Sequence, residues 1–165
     1  MQDSIFALSS GMPPAAIAVI RISGPQAGTA LETLAGRLPK PRRASLAQLR
    51  DGQGQSLDLA LILWFPGPNT ATGEDLAELH LPGGRAVVAA VERALSSISG
   101  LRPAMAGEFT RRSFMNGRID LAEAEGLADL LSAETESQRK QALAMASGHI
   151  SQAVARWQDQ LLGLM

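Results

Sequence analysis

Short apolar runs at residues 4–8 and 16–22 bracket Ser-Ser-Gly-Met-Pro-Pro, a pattern that predicts two strands joined by a tight loop. Ser23-Gly24-Pro25 then opens a helix, with Pro where a missing N–H costs nothing. Ala27, Ala30, Leu31 and Leu34 give that helix an apolar face, and Gly36 ends it. Runs at 45–50 and 56–65 flank Asp51-Gly52-Gln53-Gly54, a strong hairpin signal. In the second run Leu57, Leu59, Leu61, Leu63 and Phe65 alternate along one face, while Ile62 and Trp64 load the other. That pattern predicts a central strand covered on both sides.

Pro66-Gly67-Pro68-Asn69 breaks the sheet, and residues 76–81 form another short strand. Gly83-Gly84 precedes a helix in which Val87, Val88, Val91 and Leu95 share a side. The two glycines resemble an anion-binding helix start, but close packing is the simpler account of so short a pair. Residues 107–116 carry Phe109, Ser113 and Asn116 at helical spacing, followed by Gly117. Strands and helices interleave with hairpins, so the expected fold class is α+β with a mixed sheet.

From Asp120 onward the pattern is helical alone. Asp120 and Glu123 fit a capping box, and Leu121, Ala124, Leu127 and Leu131 form a stripe expected to be buried. A second helix carries Leu143, Ala146, Ile150, Ala153, Trp157, Leu161 and Leu164 at three- or four-residue spacing. It runs to the end of the sequence, as expected of a piece cut from a longer protein. The expected domains are 1–118, mixed α+β, and 119–165, the truncated start of an all-helical domain.

The 165 residues are 45% hydrophobic and 19% charged, with a net charge of −1, so no global basic field draws the chain to nucleic acid or membrane. Lys40 and Lys140 are the only lysines among 15 cations, and the Arg bias removes any presumption that an Arg is functional for being Arg. Without cysteine there is no disulfide, thiolate nucleophile or thiolate metal site, and His80 and His149 are too few for a catalytic zinc centre. Asp3 stands where a signal peptide carries bases, and no apolar run reaches membrane-spanning length. A cytoplasmic, membrane-free protein is expected. Lys40-Pro41-Arg42-Arg43 lacks an aromatic platform and reads as a solvated loop rather than a nucleic-acid patch, and His149 reads as helix surface.

Four stretches carry a resemblance: Ile20-Arg21-Ile22-Ser23-Gly24-Pro25; Phe65-Pro66-Gly67-Pro68-Asn69 with Thr72-Gly73-Glu74-Asp75 and Glu78-Leu79-His80; Gly107-Glu108-Phe109-Thr110-Arg111-Arg112; and Phe114-Met115-Asn116-Gly117-Arg118-Ile119-Asp120-Leu121. In this order and spacing they resemble the N-terminal part of the MnmE (TrmE) family of tRNA-modifying GTPases, and the similarity covers essentially the whole chain. Pro82 departs from the family, which commonly carries His there. The resemblance implies a folate-binding, homodimer-forming domain, then a helical domain interrupted by a GTP-binding one. It also implies a flavoprotein partner of the MnmG type, with which the complete protein adds an aminomethyl-type group to the wobble uridine of tRNA. The one-carbon unit would come from a tetrahydrofolate, 5-formyl or 5,10-methylene. GTP, with its magnesium and potassium ions, belongs to the domain missing here: a phosphate-binding loop needs Gly before Lys, whereas Lys40 follows Pro39 and Lys140 follows Arg139.

The resemblance selects three site residues. Arg21 lies in an otherwise apolar strand, and a guanidinium at that position suits the anionic glutamate tail of folate; the alternative is an Arg with its head in water. Glu78 shares a strand face with Leu76 and His80, and a carboxylate suits the pterin edge, an amino group beside a ring N–H; the alternative is a solvated acid. Arg118 stands where many family members carry Lys, and its alternative is a cation in the turn after a helix. Arg111 and Arg112 remain open between surface charges and inter-subunit contacts. A free-standing folate-dependent one-carbon transferase is the competing function; no nucleophile or acid–base pair in the sequence speaks for it.

Overall fold

A computed structural model describes residues 3–163, without the side chains of Ile150, Gln152 and Ala155. It divides into two compact units, Met1–Phe109 and Thr110–Met165. The first is built on a six-stranded mixed sheet in the order β3-β4-β5-β2-β1-β6. Its strands are β1 (Ser4–Leu8), β2 (Ala15–Ser23), β3 (Ser45–Arg50), β4 (Ser56–Phe65), β5 (Leu76–Gly83) and β6 (Leu101–Pro103), with helices α1 (Ala27–Ala35) and α2 (Arg85–Ser96). All strand pairs are antiparallel except β1 with β6. The α+β expectation is borne out. The sequence reading omits β6, because Leu-Arg-Pro is too short to show a period.

The β3–β4 hairpin closes where Asp-Gly-Gln-Gly placed it. The Asp51 carboxylate accepts the N–H groups of Gln53 and Gln55, both at 2.9 Å, so the side chain substitutes for missing ladder partners. Both helices cover one face of the sheet. Ala18, Ile20 and Ile22 of β2, Ala60, Ile62 and Trp64 of β4 and Ala77, Leu79 and Leu81 of β5 form one core with Leu31 and Leu34 of α1 and Val88, Val91 and Leu95 of α2. Burying a side chain such as Ile62 contributes about 1.5–3 kcal/mol.

The opposite face corrects the expectation for β4. It is an interior strand, yet only its Ala60-Ile62-Trp64 side is buried; Leu59 is 50% and Leu61 39% exposed. Leu46 of β3 and Ile17 of β2 are exposed too. Apolar residues on both sides of a strand do not by themselves show that both sides are covered.

Of the two glycines expected to serve close packing, Gly83 does so and Gly84 does not, its nearest neighbour to an added Cβ being Val87 at 3.7 Å. A Cβ on Gly83 would stand 2.2 Å from the Ala15 carbonyl oxygen, and Gly84 is the N-cap of α2.

The second unit contains α4 (Leu121–Ser132), α5 (Glu136–Ala146) and α6 (His149–Leu162), while α3 (Glu108–Met115) runs across the seam. The division falls between Phe109 and Thr110, inside α3, whose first turn is held to β6 by the bond of Glu108 to Arg102. The Asp120–Glu123 capping box forms with both bonds at 2.8 Å, and Thr135 with Gln138 makes a second one.

Two helical expectations are corrected. The α4 stripe is not buried in this chain: Leu121 is 62% and Leu131 83% exposed. The α4–α5 contact runs instead through Gly126, where an added Cβ would meet the Ala146 nitrogen at 2.4 Å. Backbones this close leave the larger apolar side chains pointing elsewhere. The helix expected through Leu143 and Leu164 is two helices, because Gly148 adopts φ 75° between α5 and α6, a left-handed conformation that ends a helix. Leu164 lies outside the described residues. Among the described residues, no helix is long and apolar enough to cross a membrane.

Candidate functional site

Strand register brings Arg21 and Glu78 together: they are direct partners in the β2–β5 ladder, and Leu63 of β4 is the next residue across. Their flanking residues, Ile20, Ile22, Ala77 and Leu79, are buried in the core, so alternation turns Arg21 and Glu78 to the face the helices leave open. Glu78 Oε1 accepts hydrogen bonds from Arg21 Nη2 at 2.8 Å and Nε at 3.1 Å. The other oxygen, Oε2, lies 3.1 Å from His80 Nε2. The Glu78 side chain is 16% exposed, against 35% for Arg21 and 30% for His80, so the acid sits deepest.

Burial pushes the Glu78 carboxyl up. The hydrogen bonds and charges of His80 and Arg21 outweigh that effect and hold it below the ordinary glutamate value. The carboxylate is thus kept ionised while remaining within reach of solvent. Arg21 does not extend its head into water as a solitary strand-end cation; it lies against Glu78.

The neighbouring acids are used differently. Glu74 Oε2 accepts from Ser23 Oγ at 2.7 Å, and Ser23 Oγ is also 2.6 Å from Thr72 Oγ1. The Asp75 carboxylate accepts from Gly67 N–H at 2.8 Å. Thr72-Gly73-Glu74-Asp75 therefore fastens the loop between β4 and β5 to the end of β2, leaving Glu78 as the acid presented on the strand face.

Arg118 belongs to the second unit. It lies in the bend after α3, exposed, with its N–H on the Ser113 carbonyl at 2.8 Å. This is the post-helical turn the sequence indicated. The structure thus joins Arg21 with Glu78 and puts Arg118 on a separate element. Arg112, left open from sequence, is 7% exposed.

Sequence reasoning placed His80 on the Glu78 face without giving it a task, although the Glu-x-His spacing was the available signal. It missed a second ion pair. Glu108, 2% exposed, takes Arg102 in a two-pronged contact, Nη1 to Oε2 at 2.8 Å and Nη2 to Oε1 at 2.6 Å. Its Oε2 also accepts from Met105 N–H at 2.9 Å, and Asp3 holds the remaining edge of Arg102. Glu108, then Asp3, raise the guanidinium's affinity for its proton. The Glu of Gly-Glu-Phe-Thr is therefore a structural clamp between β6 and α3.

The sheet, the strand-face pair and the clamp all lie within the segment that matches a family model. That model is described as the N-terminus of the GTP-binding protein TrmE and covers residues 4–118. The chain belongs to this family. Among its relatives, the tRNA modification GTPase MnmE of Novosphingobium aromaticivorans is 71% identical over 163 residues, 98% of this chain and 37% of the relative. The protein of the same name from Sphingopyxis alaskensis is 75% identical over 146 residues, 88% of this chain and 35% of the relative. That of Erythrobacter litoralis is 63% identical over 162 residues, 98% of this chain and 38% of the relative. The chain thus spans little more than a third of the length of these relatives.

Proposed function

We propose that the chain is the tetrahydrofolate-binding and dimerising module of a cytoplasmic tRNA-modifying GTPase. The observation that carries this reading is the ionised carboxylate of Glu78, set with Arg21 on an uncovered sheet face. The residues suit the ligand. A pterin offers an amino group beside a ring N–H, which a carboxylate accepts as a pair, and cations suit the anionic remainder.

The pairing modifies one expectation from sequence. Because Arg21 lies against Glu78, both act at the same end of an extended ligand, and the glutamate tail is left to a cation elsewhere. Arg118 is the proposed second cation. The bound folate, 5-formyl- or 5,10-methylenetetrahydrofolate, supplies the one-carbon unit; the protein binds and orients it. In the complete protein, a MnmG-type flavoprotein and tRNA meet this module, and GTP is handled by residues outside this chain.

Calorimetric titration with 5-formyltetrahydrofolate tests the reading. Binding by the parent is expected, with Glu78→Gln weaker by roughly ten- to a hundredfold, the equivalent of about 1–3 kcal/mol for unpaired donors. Arg21→Ala and Arg118→Ala should also weaken it, while Arg37→Ala controls for generic loss of charge. A folded parent that does not bind leaves only the dimerising role.

A further inference from the structure

We infer that His80 is the positioning residue of this site, an anchor that fixes the Glu78 carboxylate while Arg21 is the partner that yields to a ligand. The inference rests on the reading of Glu78 as the ligand's acceptor. It starts from the strand. His80 follows Glu78 by two residues in β5, so both side chains rise from one face, about 7 Å apart at the backbone. Across the ladder, Arg21 is opposite Glu78 on the β2 side and Leu63 on the β4 side. His80 is opposite Val19 and Leu61. The charged and titratable groups facing the carboxylate from these strands are therefore Arg21 and His80, with apolar residues filling the β4 side.

The two partners hold different oxygens. Arg21 places both Nε and Nη2 on Oε1, at 3.1 and 2.8 Å, while His80 Nε2 meets Oε2 at 3.1 Å. A carboxylate oxygen accepts about two hydrogen bonds. Oε1 is consequently full, and Oε2 keeps one site. A ligand edge with two adjacent N–H donors needs one site on each oxygen. It finds the first beside His80 and gains the second only when one Arg21 N–H lets go. The displaced guanidinium hydrogen is then free for an acceptor on the ligand. His80 need not move, and its bond sets the plane in which the acid is met. A flat edge with two parallel N–H donors meets both oxygens at once, the pairing this arrangement favours.

Three chains test this: the parent, His80→Ala and His80→Gln, whose amide N–H can replace the imidazole donor. The first measurement needs no ligand. Carbon-detected NMR of the Glu78 carboxyl should show its titration midpoint higher in His80→Ala than in the parent, with His80→Gln moving it back toward the parent. The second is titration with 5-formyltetrahydrofolate, where His80→Ala should lose roughly three- to tenfold in affinity and His80→Gln recover most of it. An unchanged Glu78 midpoint in His80→Ala overturns the inference, whatever the ligand result. A His80→Gln chain that leaves the midpoint where His80→Ala puts it also overturns it, because no transferable donor is then at work. If the midpoint shifts and recovers but the folded parent binds no folate, the anchor stands and the folate reading falls.

Discussion

Ile62 and Leu61 are consecutive in β4 yet have opposite surroundings: Ile62 is fully buried beneath the two helices, and Leu61 is 39% exposed on the other face. Truncating each to Ala should separate fold from interface. Ile62→Ala is expected to cost about 2–5 kcal/mol through lost burial and the cavity left behind. Leu61→Ala should stay within about 1 kcal/mol in the monomer. Urea unfolding at low protein concentration measures both, and equal losses would mean that the open face is structurally committed within one chain.

The same face is the expected seat of a second copy. Ile17, Leu46, Leu59 and Leu61 expose apolar surface there, around the Arg21–Glu78 pair. Replacing Leu59 and Leu61 together by Glu should shift the sedimenting species from twice 17.3 kDa to 17.3 kDa without loss of the circular dichroism signal. A variant that remains dimeric would place the interface elsewhere.

Ligand binding should depend on pH in one direction. Glu78 has a depressed pKa in the folded chain, so its pairing is fully present above the ordinary glutamate value and is lost as pH falls through the depressed one. Affinity for 5-formyltetrahydrofolate is therefore expected to be level from neutrality down to about pH 5 and to fall only in more acid solution. A loss centred near pH 6 to 7 in the parent would assign the controlling proton to another group.

The Arg102–Glu108 clamp makes an asymmetric prediction. Arg102→Met takes the two-pronged donor away from a buried carboxylate and should lower the thermal midpoint more than Glu108→Gln, which leaves a guanidinium that water and Asp3 still reach. The double variant should be milder than Arg102→Met alone. Differential scanning fluorimetry on the three chains decides the order, and a double variant worse than either single one would contradict it.

The chain is expected not to bind a fluorescent GTP analogue at micromolar concentration, since neither Lys40 nor Lys140 follows a glycine. Saturable binding in that range would refute this.

Much of the architecture is legible because local signals agree with the fold. Asp-Gly-Gln-Gly closes the hairpin, Asp120 and Glu123 cap α4, and the alternation in β5 puts Glu78 and His80 on one face. What is not legible depends on partners distant in sequence. Leu59 and Leu61 look like core residues because they are as apolar as Ile62, while α1 and α2 cover only the face that Ile62 is on. Leu121 and Leu131 mislead for a related reason: the period gives a face, while Gly126 decides which face meets α5. In the sequence, Arg21 and Glu78 read as two ends of a ligand site. Only the β2–β5 register, which no local pattern encodes, shows that they are neighbours.

Gly83 sits where that ladder ends, just beyond a break in register between Ala15 and Ile17. Its missing side chain lets the Ala15 carbonyl come within 2.2 Å of where a Cβ would be, at the far end of the ladder that holds Arg21 against Glu78. A methyl group there would prise the two strands apart at that end. The break in register between Ala15 and Ile17 stands between it and the Arg21–Glu78 pair, like a loose link between two tight ones, so Gly83→Ala should be felt as lost stability and not as a displaced guanidinium.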